Sequence, residues 1–359
     1  MFDNKNNIEI QVDGKIIGNG SATYIIAEMS ANHGGDFNRA VDIVHAAKEA
    51  GADAVKLQTY TADTLTLKGS HPLLYIDKGP WKGQTLHQLY QKAYTPWEWQ
   101  PRLKEIADKI GITLFSAPFD ETAVDFLEEI DMPAHKIASY ELIDEALLEK
   151  VAATGKPLFV STGSATLSEI DKAVRILKQN KAMQIILLKC TSIYPAPPED
   201  INLLTIPHLQ KCFDLPVGFS DHSLSIGASV AAVALGACVI EKHLMLDESK
   251  NTSTKNIADK NTPDSFFSLT PKEFQTLTQE IRIAEKALGT IQYAVEENNS
   301  RRGLWAFQNI SAGDIFSKEN IKSLRPGGGI SSSFFSTLEG RSARYDIKKG
   351  TPIEWDCLI

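Results

Sequence analysis

The stretch GFSDHSLSIGASVAAVALGACVIEKHL, residues 218–244, reads as one complete structural unit. It opens on a short apolar run ending at His222, passes through small residues with helical spacing, and closes on a second apolar run ending at His243. Short apolar runs bounded by polar residues are the pattern of strands buried on both faces, and the segment between is long enough for a crossover helix. Strand, helix and strand in this order predict a parallel pair that sets the two histidines at neighbouring strand ends, ~4.8 Å from strand to strand.

Worked outward in both directions, the unit repeats. Apolar runs that end in polar residues start at YIIAEMS (24), DAVKLQTY (53), TLFSAPF (113), AHKIAS (134), PLFVSTG (157), IILLKCTS (185), VGFSDHS (217) and ACVIEKHL (237), eight in all. Stretches such as RAVDIVHAAKEAG, ETAVDFLEEI, LLEKVAATG and LSEIDKAVRILKQN separate them with helical periodicity, often closing on a glycine. This alternation predicts an α/β fold, a (β/α)8 TIM barrel, whose reactive groups stand where the strands end. Two long insertions break the regularity: TADTLTLKGSHPLLYIDKGPWKGQTLHQLYQKAYTPWEWQ (61–100), rich in aromatics, and DESKNTSTKNIADKNTPDSFF (247–267). Long loops at that end of a barrel form lids or substrate walls. We therefore expect a catalytic barrel over residues 1–287, a linker over 288–302 and a small β-rich module over 303–359.

Bulk properties narrow the function. The 359 residues carry 37 Lys and Arg against 45 Asp and Glu, a formal charge of −8 with no long basic run, which argues against a nucleic-acid partner. The start MFDNKNNIEIQVDG lacks the basic and apolar pattern of a secretory signal, and no apolar run approaches ~20 residues, so we expect no membrane association and a cytoplasmic location. The four cysteines show no C-x-x-C pairing and read as reduced thiols.

The strand ends carry the chemistry. Glu28 ends the first run, followed by Asn32 and His33; Lys56 and Gln58, two residues apart on the second, face the same side; the fourth run brings Lys136, Ser139 and Glu141. Ser161, Thr162 and Gly163 end the fifth run, and Lys189, Thr191, Ser192 and Tyr194 the sixth. Lys56 and Lys136 with Ser139, Ser161 and Ser192 point to an anion site, because ammonium and hydroxyl donors converging on one phosphate satisfy many charges at once. For Lys189 a salt bridge between barrel layers is the simpler expectation. His222 and His243, beside Asp221 and Glu241, favour a divalent metal; Mn²⁺, Mg²⁺, Fe²⁺ and Zn²⁺ all suit two nitrogens with oxygen ligands. A Schiff-base aldolase with Lys136 as nucleophile is the alternative that needs no metal.

IAEMSANHGG, GADAVKLQTY, the run from Lys136 to Glu141, VSTG, KCTSIYPAPPED, GFSDHS and IEKH, followed by a module with an RPGGG loop, resemble the sialic acid synthase family over nearly the whole chain. Members condense phosphoenolpyruvate with an acylated amino sugar to give nine-carbon 2-keto acids. The resemblance implies a metal, Mn²⁺ or Mg²⁺, at His222 and His243, and a phosphoenolpyruvate site at Lys56, Lys136, Ser139, Ser161, Ser192 and Ser220. It places Glu28, Gln58, Glu141 and Tyr194 at the reaction centre, and Asn32, Asp221, Glu241 and Arg325 against the sugar. It further implies a domain-swapped homodimer in which the small antifreeze-like domain covers the partner's barrel. GPWKGQTLHQLYQKAYTPWEW, KCTS and MSANH resemble the pseudaminic acid synthase branch, whose 6-deoxy sugar would rest its methyl group on aromatic surface from Trp81 to Trp99. Two departures stand out: Ser116-Ala117 where members often carry two hydroxyl residues, and a long segment before Asp264.

Overall fold

Alternation of side chains along short strands organises the larger part of the chain. In the computed structural model, which describes residues 9–18, 20–79, 81–246, 262–293 and 301–359, a short antiparallel hairpin of β1 (Ile10–Val12) and β2 (Lys15–Ile17) comes first. The eight apolar runs then become β3 (Tyr24–Glu28), β4 (Ala54–Thr59), β5 (Thr113–Pro118), β6 (His135–Ile137), β7 (Leu158–Ser161), β8 (Ile185–Cys190), β9 (Val217–Asp221) and β10 (Val239–His243). They close into a barrel in chain order, β10 pairing in parallel with β3. The helices between them start on side-chain caps that the sequence supplies, Asp36 before Phe37–Glu49, Asp120 before Glu121–Glu129 and Thr166 with Glu169 before Leu167–Gln179.

Outward residues such as Ile25, Val55, Leu114, Val160, Leu187 and Ile240 pack against these helices. Inward residues Tyr24, Ile26, Phe115, Phe159, Ile186 and Val239 form a separate cluster with Ile10, Val12 and Ile17 of the hairpin. The hairpin thus shares the apolar half of the lumen, and the inward positions toward the strand ends are polar. Three-residue strands are too short to show an alternating pattern, so the hairpin was not expected from sequence.

The same alternation corrects several expectations. Asp221 and Lys242 are cross-strand partners that face outward, away from the lumen. The Asp221 carboxylate lies 2.7 Å from the Lys242 ammonium with both side chains fully buried, and also accepts from Ser229 Oγ at 2.7 Å and Ser223 N at 2.8 Å. Asp221 is therefore a structural anion and not a sugar contact. Asn32 is likewise fully buried, its Nδ2 donating to the Leu244 carbonyl at 3.0 Å and to Ser268 Oγ at 2.9 Å, so it ties the turn after β3 to the segment after β10; its Oδ1 has no partner among the described residues, and it is not among the residues that line the cavity described below. Lys189 meets no carboxylate within salt-bridge distance among the described residues; its ammonium bonds the Thr191 hydroxyl and lies 6.0 Å over the Phe219 ring. Ser116 Oγ points outward to Thr59 Oγ1 at 2.6 Å, leaving Ala117 at the inward position.

The chain divides into two compact units, Met1–Gly289 and Thr290–Ile359. The second holds an antiparallel pair, β11 (Gly303–Ala306) and β12 (Ile321–Leu324), over a core that includes Leu304, Phe316, Ile321, Leu338, Ile347 and Ile353. Two glycines of the RPGGG loop serve their own module: the Gly328 carbonyl leaves no room for a Cβ on Gly303, and Gly329, at φ +59°, abuts the Ile353 carbonyl. Most of the segment 247–267 and, within the expected linker, residues 294–300 lie outside the described residues. Among the described residues no helix is long and apolar enough to cross a membrane.

Removing Asp221 leaves a buried ammonium without its counter-charge. Asp221→Leu is expected to cost about 3–5 kcal/mol in urea unfolding, and adding Lys242→Met should restore most of that loss. Equal stability of the single variant and the wild type would show that the pair is not the anchor described.

Candidate active site

The polar half of the lumen opens into a cavity of about 340 Å³ at the C-terminal ends of the strands. Lys56 and Gln58 of β4, Lys136 and Ser139 at β6, Ser161 of β7, Tyr194 after β8, Ser220 and His222 at β9, and Glu241 and His243 of β10 all line it. These are the residues that sequence placed at a reactive centre. Glu28 lies beside them, its Oε2 2.8 Å from Lys56 Nζ and its Oε1 accepting from Gln58 Nε2 at 3.0 Å.

Glu241 is the hub of the charges. Its carboxylate is 3.5 Å from Lys56 Nζ, 3.8 Å from Lys136 Nζ and accepts from Ser220 Oγ at 2.8 Å. Burial alone would raise the Glu241 carboxyl, but Lys136 and Lys56 outweigh it and hold the group down at about 2. Burial raises the Glu28 carboxyl, with Lys56 opposing. The two lysines differ: burial is outweighed at Lys56 by Glu241 and Glu28, so its ammonium is strengthened, whereas burial lowers Lys136, whose nearest carboxylate is more distant. Lys136 is the cation with charge to spare.

Hydroxyls surround it. Ser161 Oγ is buried without a hydrogen-bond partner among the described residues, and Ser139 Oγ accepts from Gly163 N at 3.2 Å. A Cβ on Gly163 would fall 2.6 Å from Ser139 Oγ, 3.2 Å from Cys190 Sγ and closer still to Ser192 Oγ. Ser192 thus reaches the same cluster through the space that glycine leaves, although it does not line the main cavity.

The histidine rings are 5.3 Å apart, between centroids. His222 Nδ1 lies 3.0 Å from the Thr191 carbonyl, which can only accept, so Nδ1 carries a proton; burial opposes charge on the ring, but Cys190 and that carbonyl outweigh it and raise its pKa, and Nε2 is the nitrogen with a lone pair when the ring is neutral. His243 Nδ1 is buried with no partner among the described residues, and burial followed by the charge of His222 lowers that ring well below its ordinary value. An unpaired buried ring nitrogen is costly and is what a bound cation would satisfy. Among the described residues no group of three His, Cys, Asp or Glu is gathered as a metal site, so any cation held there would find two imidazoles and take its remaining ligands from elsewhere. The Tyr194 ring lies tilted 4.4 Å from His222 and Phe267 sits edge-on 4.6 Å from His243, walling the pair.

Some expected residues lie elsewhere. Glu141 sits half-buried on the turn after β6 outside the cavity lining, its carboxyl raised by burial. Arg325 is exposed beyond β12 in the other unit. Of the aromatics in the 61–100 insertion, Trp81 and Tyr90 line the cavity; Trp97 stacks on Phe126 at 4.9 Å and Trp99 packs edge-on to Phe37 at 5.6 Å. Conversely, Ser30, Cys190, Asp264 and Phe267 line the cavity without having been singled out as site residues. Burial would raise the Cys190 thiol, yet the charge of His222 and hydrogen bonds from His222 and Ser139 bring it down to about 6. Its even spacing from Leu188 was the available signal. Asp264, bonded to Ser30 Oγ and buried so that its carboxyl is raised, follows a long polar stretch with no periodicity to read.

Residues 43–293 match the model of the NeuB family and residues 301–359 that of the SAF domain. The chain belongs to the NeuB family. It is 43% identical over 336 residues to the pseudaminic acid synthase of Campylobacter jejuni, covering 92% of this chain and 95% of that protein. The pseudaminic acid synthase of Helicobacter pylori is 38% identical over 338 residues, 92% of this chain and 96% of that one. Among solved structures, the N-acetylneuraminic acid synthetase of Leptospira borgpetersenii superposes with a TM-score of 0.69 at 33% identity, over 81% of this chain and 93% of that chain.

The geometry makes Gly163 the residue that lets two hydroxyls converge. Gly163→Ala should push Ser139 and Ser192 apart and weaken binding of inorganic phosphate at least ~10-fold in titration calorimetry, with cooperative melting retained. Unchanged phosphate affinity would show that the hydroxyl cluster does not bind anions.

Proposed function

We propose that the chain is a pseudaminic acid synthase, condensing phosphoenolpyruvate with 2,4-diacetamido-2,4,6-trideoxy-L-altrose and water to give pseudaminic acid and inorganic phosphate. The observation that carries this reading is one cavity in which an under-compensated lysine and a hydroxyl cluster stand beside a histidine pair, in a chain similar along most of its length to two such synthases.

Lys56, Lys136, Ser139, Ser161, Ser192 and Ser220 hold phosphoenolpyruvate, whose negative charges draw on the loosely paired Lys136. His222 and His243 would hold a divalent metal, Mn²⁺ or Mg²⁺, which when bound supplies Lewis-acid polarisation of the aldehyde oxygen of the open-chain sugar. The C3 carbon of phosphoenolpyruvate attacks that aldehyde carbon, forming the new C–C bond, and the aldehyde oxygen takes up a proton. Positive charge developing at C2 is stabilised by the buried Glu28 and Glu241 carboxylates. Water adds at C2, and the tetrahedral intermediate expels phosphate by breaking its C–O bond. Glu28, its carboxyl raised by burial and bonded to Gln58 of the cavity, is the group suited to exchange a proton with that water. Gln58, held by its bond to Glu28, and Tyr194, packed against His222, orient the sugar. By the same reading the working form is a domain-swapped homodimer, in which Arg325 of one subunit serves the sugar in the cavity of the other.

Phosphate release should require both phosphoenolpyruvate and the 2,4-diacetamido sugar, and an ¹⁸O label in the bridging oxygen should leave with phosphate. Chelation should stop turnover and Mn²⁺ restore it. Lys136→Ala is expected to raise the KM for phosphoenolpyruvate roughly ten- to a hundredfold, the value of one charge-assisted contact. Faster turnover of N-acetylmannosamine, or of the gluco-configured diacetamido isomer, would move the assignment to another branch, and borohydride trapping of an imine would favour an aldolase. Mixing the Arg325→Ala and Lys136→Ala proteins, at a phosphoenolpyruvate concentration well below the raised KM, should give more activity than the sum of the two alone, through heterodimers that keep one unaltered site. No recovery despite measured subunit exchange would rule out action between subunits.

A further inference from the structure

A second cavity, of about 430 Å³, opens on the outer side of the barrel, where the segments after β7 and β8 meet the helices Leu167–Gln179 and Thr205–Phe213. Ser164, Asp200, Asn202, Thr205 and His208 form its polar rim, and Leu167 and Ile193 an exposed apolar flank. Lys189 also lines it, although that residue is only 6% exposed. Cys190 borders this cavity and the main one, so the two are neighbours, but Lys189 faces away from the lumen and lines this one alone.

The layer between strands and helices holds another buried lysine, and the two are matched very differently. The Lys242 ammonium donates to Asp221 Oδ2 and to the carbonyls of Ser223 and Ser225, so its charge and its three donors are all met. Lys189 has a single hydrogen-bond partner among the described residues, the Thr191 hydroxyl, which in turn donates to the Asp200 carbonyl at 3.3 Å. The Phe219 ring, 6.0 Å away, adds a weak attraction at most. Asp200 is the one carboxylate in the lining; it is exposed on the rim, where water and salt screen it, and makes no ion pair with Lys189. Two donors of a buried ammonium, and its whole charge, are thus left to whatever occupies the cavity. Water can take up the donors but brings no counter-charge.

We propose that this cavity is a second anion site, in which Lys189, with the hydroxyls of Ser164 and Thr205, takes a phosphate dianion, either free or as the end of a small phosphate monoester. Several acceptor oxygens on one ion can meet the open donors of the ammonium and the hydroxyls of the rim together. The set repeats, outside the barrel, the ammonium-and-hydroxyl chemistry that Lys136 and its serines present inside it. Burial lowers the Lys189 pKa, and a bound anion would oppose that shift. One charge-assisted contact of this kind changes affinity by roughly ten- to a hundredfold. The inference does not rest on the synthase reading.

The test titrates inorganic phosphate, by calorimetry at low ionic strength, into the full chain and into its Lys189→Met, Thr205→Asp and Lys136→Ala variants. The wild type should show a binding site that Lys189→Met, which keeps the buried stem without its charge, weakens at least ~10-fold and that Lys136→Ala leaves unchanged. Thr205→Asp sets a negative charge on the rim, at the first residue of a helix where an acidic side chain is well placed, and should weaken the same site. It decides the matter if Lys189→Met does not fold. Phosphate binding that responds to Lys136→Ala but to neither of the other two variants overturns the inference, as does a folded wild type that binds no phosphate. A site lost in Lys189→Met and kept in Lys136→Ala upholds it, whatever the main cavity binds. In the Lys136→Ala protein, glycerol 3-phosphate binding more tightly than inorganic phosphate identifies a monoester as the occupant, and weaker binding identifies the free ion.

Discussion

The placement of Glu241 is the constraint on which the site depends. One carboxylate, buried in the lumen, lies within 4 Å of two lysines from different strands and accepts a serine hydroxyl from a third. Burial presses both Lys56 and Lys136 toward the neutral amine, and Glu241 opposes it at each, outweighing it together with Glu28 at Lys56 but not at Lys136. Lys136 is thus the lysine of the cluster that carboxylates compensate least. Glu28 supplies the second half of the balance, sharing Lys56 with Glu241 and lying nearer to it, at 2.8 Å.

Strand alternation decides which charges belong to this cluster. Glu241 and Lys242 are consecutive, yet one faces the lumen and the other is clasped by Asp221 in the layer between strands and helices. Ser220 and Asp221 divide in the same way. A run such as FSDH or IEKH therefore contains two kinds of polar residue, one for chemistry and one for holding β9 to β10, and only the period of two separates them. Lys189 falls on the outward side, where a hydroxyl and the Phe219 ring, not a carboxylate, accompany it.

The barrel supplies the floor of the cavity and the loops supply its character. The 61–100 insertion contributes an apolar helix face, while the described part of the segment after β10 contributes Asp264 and Phe267, and the Trp81 bond to Pro263 joins the two. Charge sits deep and carbon sits at the wall. That division suits a substrate pair in which one member is a small, highly charged acid and the other a sugar with acyl and methyl groups.

Much of this was legible in the sequence. Apolar runs of strand length with helical stretches between them specify a parallel sheet whose faces are covered, and the count of eight such runs selects the closed barrel. Polar residues at the run ends, Lys56, Gln58, Lys136, Ser161, Ser220, Glu241 and the two histidines, are expensive inside a barrel, and their cost marks the site from composition and position alone. What the sequence could not decide is local in space and remote along the chain. Asn32 meets Ser268, Asp264 meets Ser30 and Trp81 meets Pro263 through contacts between segments that share no periodic pattern. Asp221 looks like its lumen-facing neighbours until its cross-strand register with Lys242 is known. Periodicity along the chain reports which face a residue occupies, whereas the partner it finds there is set by closure of the barrel and the packing of its loops, and only the tertiary structure holds that information.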